Sequence, residues 1–219
     1  MSVSIYKIST AYLWLLNIFC FLQANDIHEF SSKCMGTEFK ILIDNDSREN
    51  SSFAAKAAFD EAIRLNSIFS DYDADSELSK LSNSSYKNRK VRLSEELFEV
   101  LEFSKSLANK TDGAFDPTLG QLSRLWRIAR FRKSLPINAS IERAMNSVGY
   151  QNLVLNKPLR EATLLKPGII LDLGGIAKGY TADRMMLILK DMGFDRCLID
   201  AGGDLTLGKR PRQSKVGKF

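Results

Sequence analysis

Apolar and polar positions along the chain follow two periods that predict a mixture of helices and strands. Apolar residues three to four positions apart predict helices, and short apolar runs bounded by turn residues predict strands. Because strands and helices occur in runs without strict alternation, the pattern predicts an α+β fold. The predicted helices cover about 52–68, the segment after Ser94, about 140–148 and the segment after Lys178, whereas the predicted strands cover 38–44, 152–155, 162–165, 168–171 and 196–200.

Two polar segments between these elements have their own predictions. The stretch 67–85 is rich in serine and aspartate, and it is predicted to be a loop. Asp116 followed by Pro117 is typical of an N-cap and first helical position, so a helix carrying Leu122, Leu125 and Trp126 is predicted to begin there.

The N-terminal residues have the pattern of an export signal. Lys7 precedes an apolar run over 11–22, and polar residues resume at Gln23 with Ala24 as a possible cleavage position. Residues 1–24 are therefore predicted to be a signal peptide or an N-terminal anchor. We expect an exported protein, either periplasmic or associated with the membrane through its N-terminus.

Charge and residue usage exclude several classes of function. The chain has 219 residues and a formal net charge of +5, but 209–219 holds five Lys or Arg residues and no acid, and the rest is formally neutral. A basic end segment is not the basic stripe of a nucleic-acid site, so no nucleic-acid partner is expected. His28 is the only histidine, which disfavours histidine acid–base catalysis. Cys34 and Cys197 are too far apart in sequence to indicate a disulfide.

The segment Leu171–Asp183 carries the strongest local signal for chemistry. An apolar run ends in Asp172, two glycines follow, and Lys178 precedes an amphipathic helix. Free N–H groups and the positive dipole end of a helix favour phosphate binding, and a lysine adds charge. The segment fits neither the P-loop nor the dinucleotide-binding pattern. By itself it is equally consistent with close packing of the helix on its sheet.

Five separated segments together resemble the FAD:protein FMN transferase family over roughly 34–208. They are Met35–Thr37, Ser70–Tyr72 with Asp75–Ser79, Asp112–Pro117 with Leu125–Trp126, Leu171–Gly179, and Ala201–Asp204. The resemblance implies a T-fold-like flavin transferase fold. It also implies that FAD donates FMN to a threonine of an acceptor protein, with AMP released and Mg²⁺ offsetting charge on the diphosphate.

The same resemblance implies roles for individual residues. Met35 and Tyr72 would contact the flavin, and Gly175 would offer a backbone carbonyl to the metal. The other positions that would bind the cofactor are Ala114, Phe115, Asp116, Asp172, Lys178 and Asp204. No catalytic general base is identified.

The family pattern continues past Asp204 into an acidic metal-binding segment that the sequence does not contain. We therefore expect a partial transferase domain over 34–208, incomplete at its C-terminus, followed by a basic tail over 209–219. A single carbonyl cannot hold Mg²⁺, which prefers octahedral oxygen ligation with a carboxylate. The expected activity is correspondingly small. The alternatives are an FAD pyrophosphatase that yields FMN and AMP, and a non-catalytic exported FAD-binding protein.

Overall fold

The structure is a computed structural model that describes residues 27–87 and 89–212. The predicted export signal lies outside these residues. The described strands are β1 Ile27–Cys34, β2 Thr37–Asp44, β3 Val91–Arg92, β4 Leu153–Asn156, β5 Glu161–Leu164, β6 Cys197–Ala201 and β7 Asp204–Leu207. The described helices are α1 Arg48–Phe69, α2 Glu77–Ser84, α3 Glu95–Lys110, α4 Gly120–Arg132, α5 Asn138–Met145 and α6 Ala177–Asp191. The predicted α+β class is confirmed.

A four-stranded antiparallel sheet in the order β1-β2-β6-β7 forms one layer of the molecule. Alternate residues of β2 point into the core, and Phe39, Ile41 and Ile43 are buried there. Helices α1 and α6 cover this face with small or flexible side chains, which allow the helices to approach the sheet closely. These side chains are Ala54, Ala55, Ala58, Ala62, Ala182, Met185, Met186 and Leu189.

A second core lies beneath a smaller antiparallel sheet in the order β3-β5-β4. Leu153 and Leu164 of this sheet pack with leucines of α2 and α3. The buried residues of the segment 169–173 and the last turn of α1 complete the cluster. Because α1 and α6 contribute to both cores, they fix the position of one sheet relative to the other.

Three predictions of local structure are wrong. The segment 67–85 is not all loop, because α2 occupies Glu77–Ser84 after an N-cap at Ser76. Helix α4 begins at Gly120 and not at Asp116, whose carboxylate instead binds the backbone N–H and hydroxyl of Thr118. The segment 168–171, predicted to be a strand, forms only an isolated parallel bridge between Ile170 and Leu119. The third strand of the small sheet is β3 instead.

Cys34 and Cys197 are free and buried in the larger core. Burial raises the pKa of the Cys197 thiol to about 11. At the other end of the described chain, Lys209 pairs with Asp195 and Arg212 pairs with Asp44. No helix within the described residues is both long and apolar enough to cross a bilayer.

Candidate functional site

A cavity of about 1010 Å³ opens where the two cores meet. Its walls are the β1–β2 turn at Met35 and Gly36, the end of α1 with the loop Ser70–Tyr72, one face of α4, and the segment from Asp172 to Lys178. Its volume lies at the upper end of the range of about 300–1,000 Å³ that is typical of ligand sites. Four separated segments of the sequence thus meet around one space.

Serine hydroxyls fix the loop that carries Tyr72. Ser70 Oγ accepts hydrogen bonds from the backbone N–H groups of Tyr72 and Asp73. Ser76 Oγ and Ser79 Oγ donate to the Ser70 carbonyl at 2.5 and 3.3 Å. The serine-rich composition therefore orders this loop, and the Tyr72 ring projects from it with 79% of its surface exposed.

Arg127 of α4 contacts the same loop from the opposite wall. Its guanidinium carbon lies 4.3 Å from the centroid of the Tyr72 ring, within the range of a cation–π contact. The guanidinium also pairs with the Asp71 carboxylate and lies 3.9 Å from Asp172 Oδ2. Arg124 adds a hydrogen bond to the Asp71 carbonyl. Arg127 therefore connects the tyrosine end of the cavity to the Asp172 end.

The surroundings of Arg127 keep it charged. Partial burial of the guanidinium acts to lower the pKa of Arg127, but the hydrogen bond and the charge of Asp71 outweigh that effect and raise it. The cation is thus held between two carboxylates in a partly dehydrated position, where ionic contacts are stronger than at a fully exposed surface.

The opposite end of the cavity is formed by the glycines and the start of α6. Asp172 Oδ1 accepts the N–H of Gly174 at 2.8 Å, which turns the chain into the helix. No side chain caps the N-terminus of α6, so its dipole end is available to an anion from solvent. Lys178 stands in the first turn of this helix, and its ammonium pairs with Asp204 of β7.

The remaining residues predicted to bind the cofactor lie behind this wall. Ala114, Phe115 and Asp116 are not among the residues that line the cavity. The Phe115 ring supports Gly175, since a Cβ built on that glycine would lie 3.3 Å from the ring. Both oxygens of the buried Asp116 carboxylate accept hydrogen bonds, from Thr118 and from the N–H of Tyr150. Their roles in nucleotide binding stay predictions.

The described residues do not by themselves fit a magnesium site. No group of three or more His, Cys, Asp or Glu side chains is close enough to hold a metal ion in residues 27–87 and 89–212. The nearby carboxylates of Asp71 and Asp172 are engaged by Arg127 and by a backbone N–H, and that of Asp204 by Lys178. The Gly175 carbonyl alone provides one ligand where Mg²⁺ needs about six.

A family model described as the ApbE family matches residues 35–217. The chain belongs to this family. A relative named FAD:protein FMN transferase from Klebsiella pneumoniae (strain 342) is 29% identical over 189 residues, which are 86% of this chain and 58% of the relative. A second relative of the same name, from Treponema pallidum (strain Nichols), is 32% identical over 114 residues, covering 50% of this chain and 32% of the relative.

Solved structures of this ApbE family have the same fold. The structure of the ApbE protein from Thermotoga maritima superposes with a TM-score of 0.73 at 30% identity, covering 83% of this chain and 59% of that one. The flavin transferase ApbE from Vibrio cholerae gives a TM-score of 0.76 at 23% identity, covering 85% and 60%. The chain thus spans about three fifths of the length of these structures.

The structure brings four of the nine predicted site residues to the cavity wall, and it adds two residues that were missed. Met35, Tyr72, Asp172 and Lys178 line the cavity, and Asp204 reaches it through Lys178. Arg127 and Arg130 of α4 also line it. The sequence does contain a signal for these two arginines. They are three positions apart, and residues three apart on a helix share a face.

Proposed function

We propose that this chain forms the FAD-binding part of an FAD:protein FMN transferase. The observation that carries the proposal is the presence in one cavity of an aromatic ring at one end and an uncapped, lysine-bearing helix N-terminus at the other. FAD has matching parts, namely a flat isoalloxazine and a doubly charged diphosphate. The names of the relatives support FAD as the donor substrate.

Each end of the cavity has a definable task in binding. The Tyr72 ring offers one face to the isoalloxazine, since Arg127 covers the other. The N–H groups at the start of α6 and the Lys178 ammonium would receive the diphosphate. Because Lys178 is paired with Asp204 in the structure, Asp204 holds the lysine in place and lowers the cost of ordering it.

In the transfer that we propose, the hydroxyl oxygen of an acceptor threonine attacks the FMN phosphorus. A new P–O bond forms to the threonine, the bond to the bridging oxygen breaks, AMP leaves, and the hydroxyl proton passes to solvent or to a base. Positioning and electrostatic stabilisation supply most of the catalysis in reactions of this kind. Lys178 and the dipole of α6 are the groups of this chain that would stabilise the charge on the diphosphate.

Magnesium and the acceptor are finer parts of the same proposal. We expect FAD binding to be insensitive to Mg²⁺, because the described carboxylates are engaged elsewhere. We expect transfer to require Mg²⁺ and to be slow for this chain by itself. We propose that the protein acts after export, in the periplasm or at a membrane, on a flavoprotein acceptor.

Binding is tested by titrating flavin fluorescence with FAD, FMN and riboflavin. We expect FAD to bind most tightly, Tyr72→Ala to weaken it about tenfold, and Lys178→Gln to weaken FAD about 10–100-fold but riboflavin little. Tyr86→Ala is a matched control, since Tyr86 is 70% exposed and does not line the cavity. Equal affinity for FAD and riboflavin would contradict a diphosphate site.

Product analysis separates the transferase from the two alternatives. The chain is incubated with FAD and a threonine-bearing acceptor, with Mg²⁺ or with EDTA, and AMP, FMN and protein-bound flavin are measured. Covalent flavin on the acceptor supports the transferase, whereas free FMN and AMP without acceptor indicate a pyrophosphatase. FAD binding with neither product would indicate a non-catalytic FAD-binding protein.

A further inference from the structure

The turn between α4 and α5 exposes three large apolar side chains close together in sequence. Phe131, Leu135 and Ile137 are 89%, 81% and 67% exposed, and they lie within seven residues of one another. Burying large apolar side chains is favourable, so leaving three of them in water at one turn is costly. Exposed apolar patches are typical of interaction sites, so this turn is a candidate for one.

Basic residues surround these apolar side chains. Arg130, Arg132 and Lys133 are exposed, and none forms an ion pair with another described residue. The sequence has no acidic residue between Asp116 and Glu142. The turn therefore combines large apolar groups with an uncompensated positive charge, and its partner must be both apolar and anionic.

The backbone presents this combination as a convex tip. Lys133 ends α4 in the left-handed conformation, with φ of 50°, and its N–H donates to the Arg130 carbonyl. Helix α5 begins five residues later, at Asn138. The apolar side chains thus project from the end of a helical hairpin.

We propose that the tip formed by residues 130–137 inserts into the surface of an anionic lipid bilayer. Apolar side chains of an interfacial segment enter the boundary of the acyl chains, and nearby Lys and Arg side chains bind anionic headgroups. A second copy of the chain is a poorer partner, because a symmetric contact would place the like charges of two tips together. The proposal does not depend on FAD binding or on flavin transfer.

Tryptophan fluorescence at the tip tests the insertion directly. Trp14 and Trp126 are the only tryptophans, so Trp14→Phe, Trp126→Phe and Phe131→Trp together leave one tryptophan at the tip. With brominated lipid in both vesicle types, we expect strong quenching for vesicles that contain phosphatidylglycerol, and quenching at least fivefold weaker when phosphatidylcholine replaces the phosphatidylglycerol. The matched control carries Phe103→Trp in place of Phe131→Trp, on an exposed position of α3, and we expect it to stay unquenched.

Two further variants assign the contributions within the tip. Leu135→Ser should abolish most of the quenching of the tip tryptophan, and Arg132→Gln with Lys133→Gln should weaken vesicle binding at the tip about tenfold or more. High salt should act as the charge variant does, because it screens the surface potential.

The tryptophan at position 131 reports only on lipid close to the tip. Membrane binding by another part of the chain would therefore not quench it. Equal quenching at the Phe103 position, or no quenching with either vesicle, would overturn the proposal. In the second case, binding to an acidic protein in place of lipid would identify the partner as a protein.

Discussion

The two walls of the cavity differ in how firmly the rest of the protein holds them. Helices α1 and α6 bury alanine, leucine and methionine side chains against the larger sheet, and many of these are completely inaccessible. On the opposite wall, Gly120 is the only buried residue of α4. The helix that begins at the glycine end of the site is therefore anchored in the core of the protein, whereas the arginine wall is attached mainly through its first residue and through polar contacts.

The difference follows from composition. A helix that alternates small apolar residues with polar ones can pack closely on a sheet, as α1 does. Helix α4 carries four arginines, at positions 124, 127, 130 and 132, and its large apolar residues Trp126, Ile128 and Phe131 remain exposed. Such a wall can move without disrupting the core, and segments of low local stability are often the ones that move on binding.

The largest expected difference between the walls is in stability. Ile41→Ala removes a completely buried side chain from the larger core and should lower the free energy of unfolding by about 2–5 kcal/mol. Ile128→Ala, at a half-exposed position on α4, should change it by about 0.5 kcal/mol or less. Urea denaturation followed by circular dichroism measures both, and comparable losses would show that α4 is as firmly packed as the sheet.

The attachment of α4 at its first residue is tested by Gly120→Ala. A Cβ at this position would lie 2.5 Å from the Ile170 carbonyl oxygen, so the bridge to the segment 169–173 must shift. We expect a loss of about 1–3 kcal/mol. Gly179→Ala is the matched control: no atom lies within 4 Å of a Cβ there, and alanine is the better helix former, so stability should rise by up to about 1 kcal/mol. A neutral Gly120→Ala would mean that α4 is held elsewhere.

The sequence allowed the well-packed helix α6 to be predicted better than the weakly packed helix α4. In α6 the buried residues recur at helical spacing, and Gly193 marks the end of the helix, so the pattern and the packing agree. The N-cap of helix α4 forms no side-chain hydrogen bond. The Asp116–Pro117 pair, which predicted the start of the helix, belongs to a turn in which the Asp116 carboxylate accepts the N–H groups of Thr118 and Tyr150. Local signals cannot distinguish a cap from such a turn.

The site residues also differ in how well the sequence predicts them. Asp172 and Lys178 stand beside glycines at a strand-like segment and a helix start, a combination that indicates anion binding from sequence. Arg127 has no such neighbours, and its role depends on a contact with Tyr72 across the cavity, 55 positions away in sequence. Helix α2 was missed for a related reason, because the hydroxyls of Ser82 and Ser84 donate to the Leu78 and Leu81 carbonyls within the helix itself.

Loss of Arg127 is expected to affect FAD binding more than stability. Arg127→Gln frees the Tyr72 ring and leaves the Asp71 carboxylate without its cation, so FAD affinity should fall about 5–10-fold in a fluorescence titration. A double-mutant cycle with Tyr72→Ala should give a coupling energy of about 0.5–1 kcal/mol. Arg132→Gln is the control on the same helix, since Arg132 does not line the cavity. Additive effects would mean that Arg127 does not position Tyr72.

The smallest expected effect concerns the exposed ion pair between Lys209 and Asp195, which lies near the end of the larger sheet. The hydrogen bond and charge of Lys209 lower the pKa of the Asp195 carboxyl. A carboxyl with a lowered pKa in the folded state stabilises the protein above its unfolded pKa, near about 4, and that stabilisation is lost as the pH falls through the lower folded value. Denaturation between about pH 5 and pH 2 should show a slightly shallower acid dependence for Lys209→Gln than for the unaltered chain. Both partners are exposed, so the change should be small and should vanish at high salt. If the difference between Lys209→Gln and the unaltered chain persists at high salt, the Lys209 side chain stabilises the fold through packing and not through its charge.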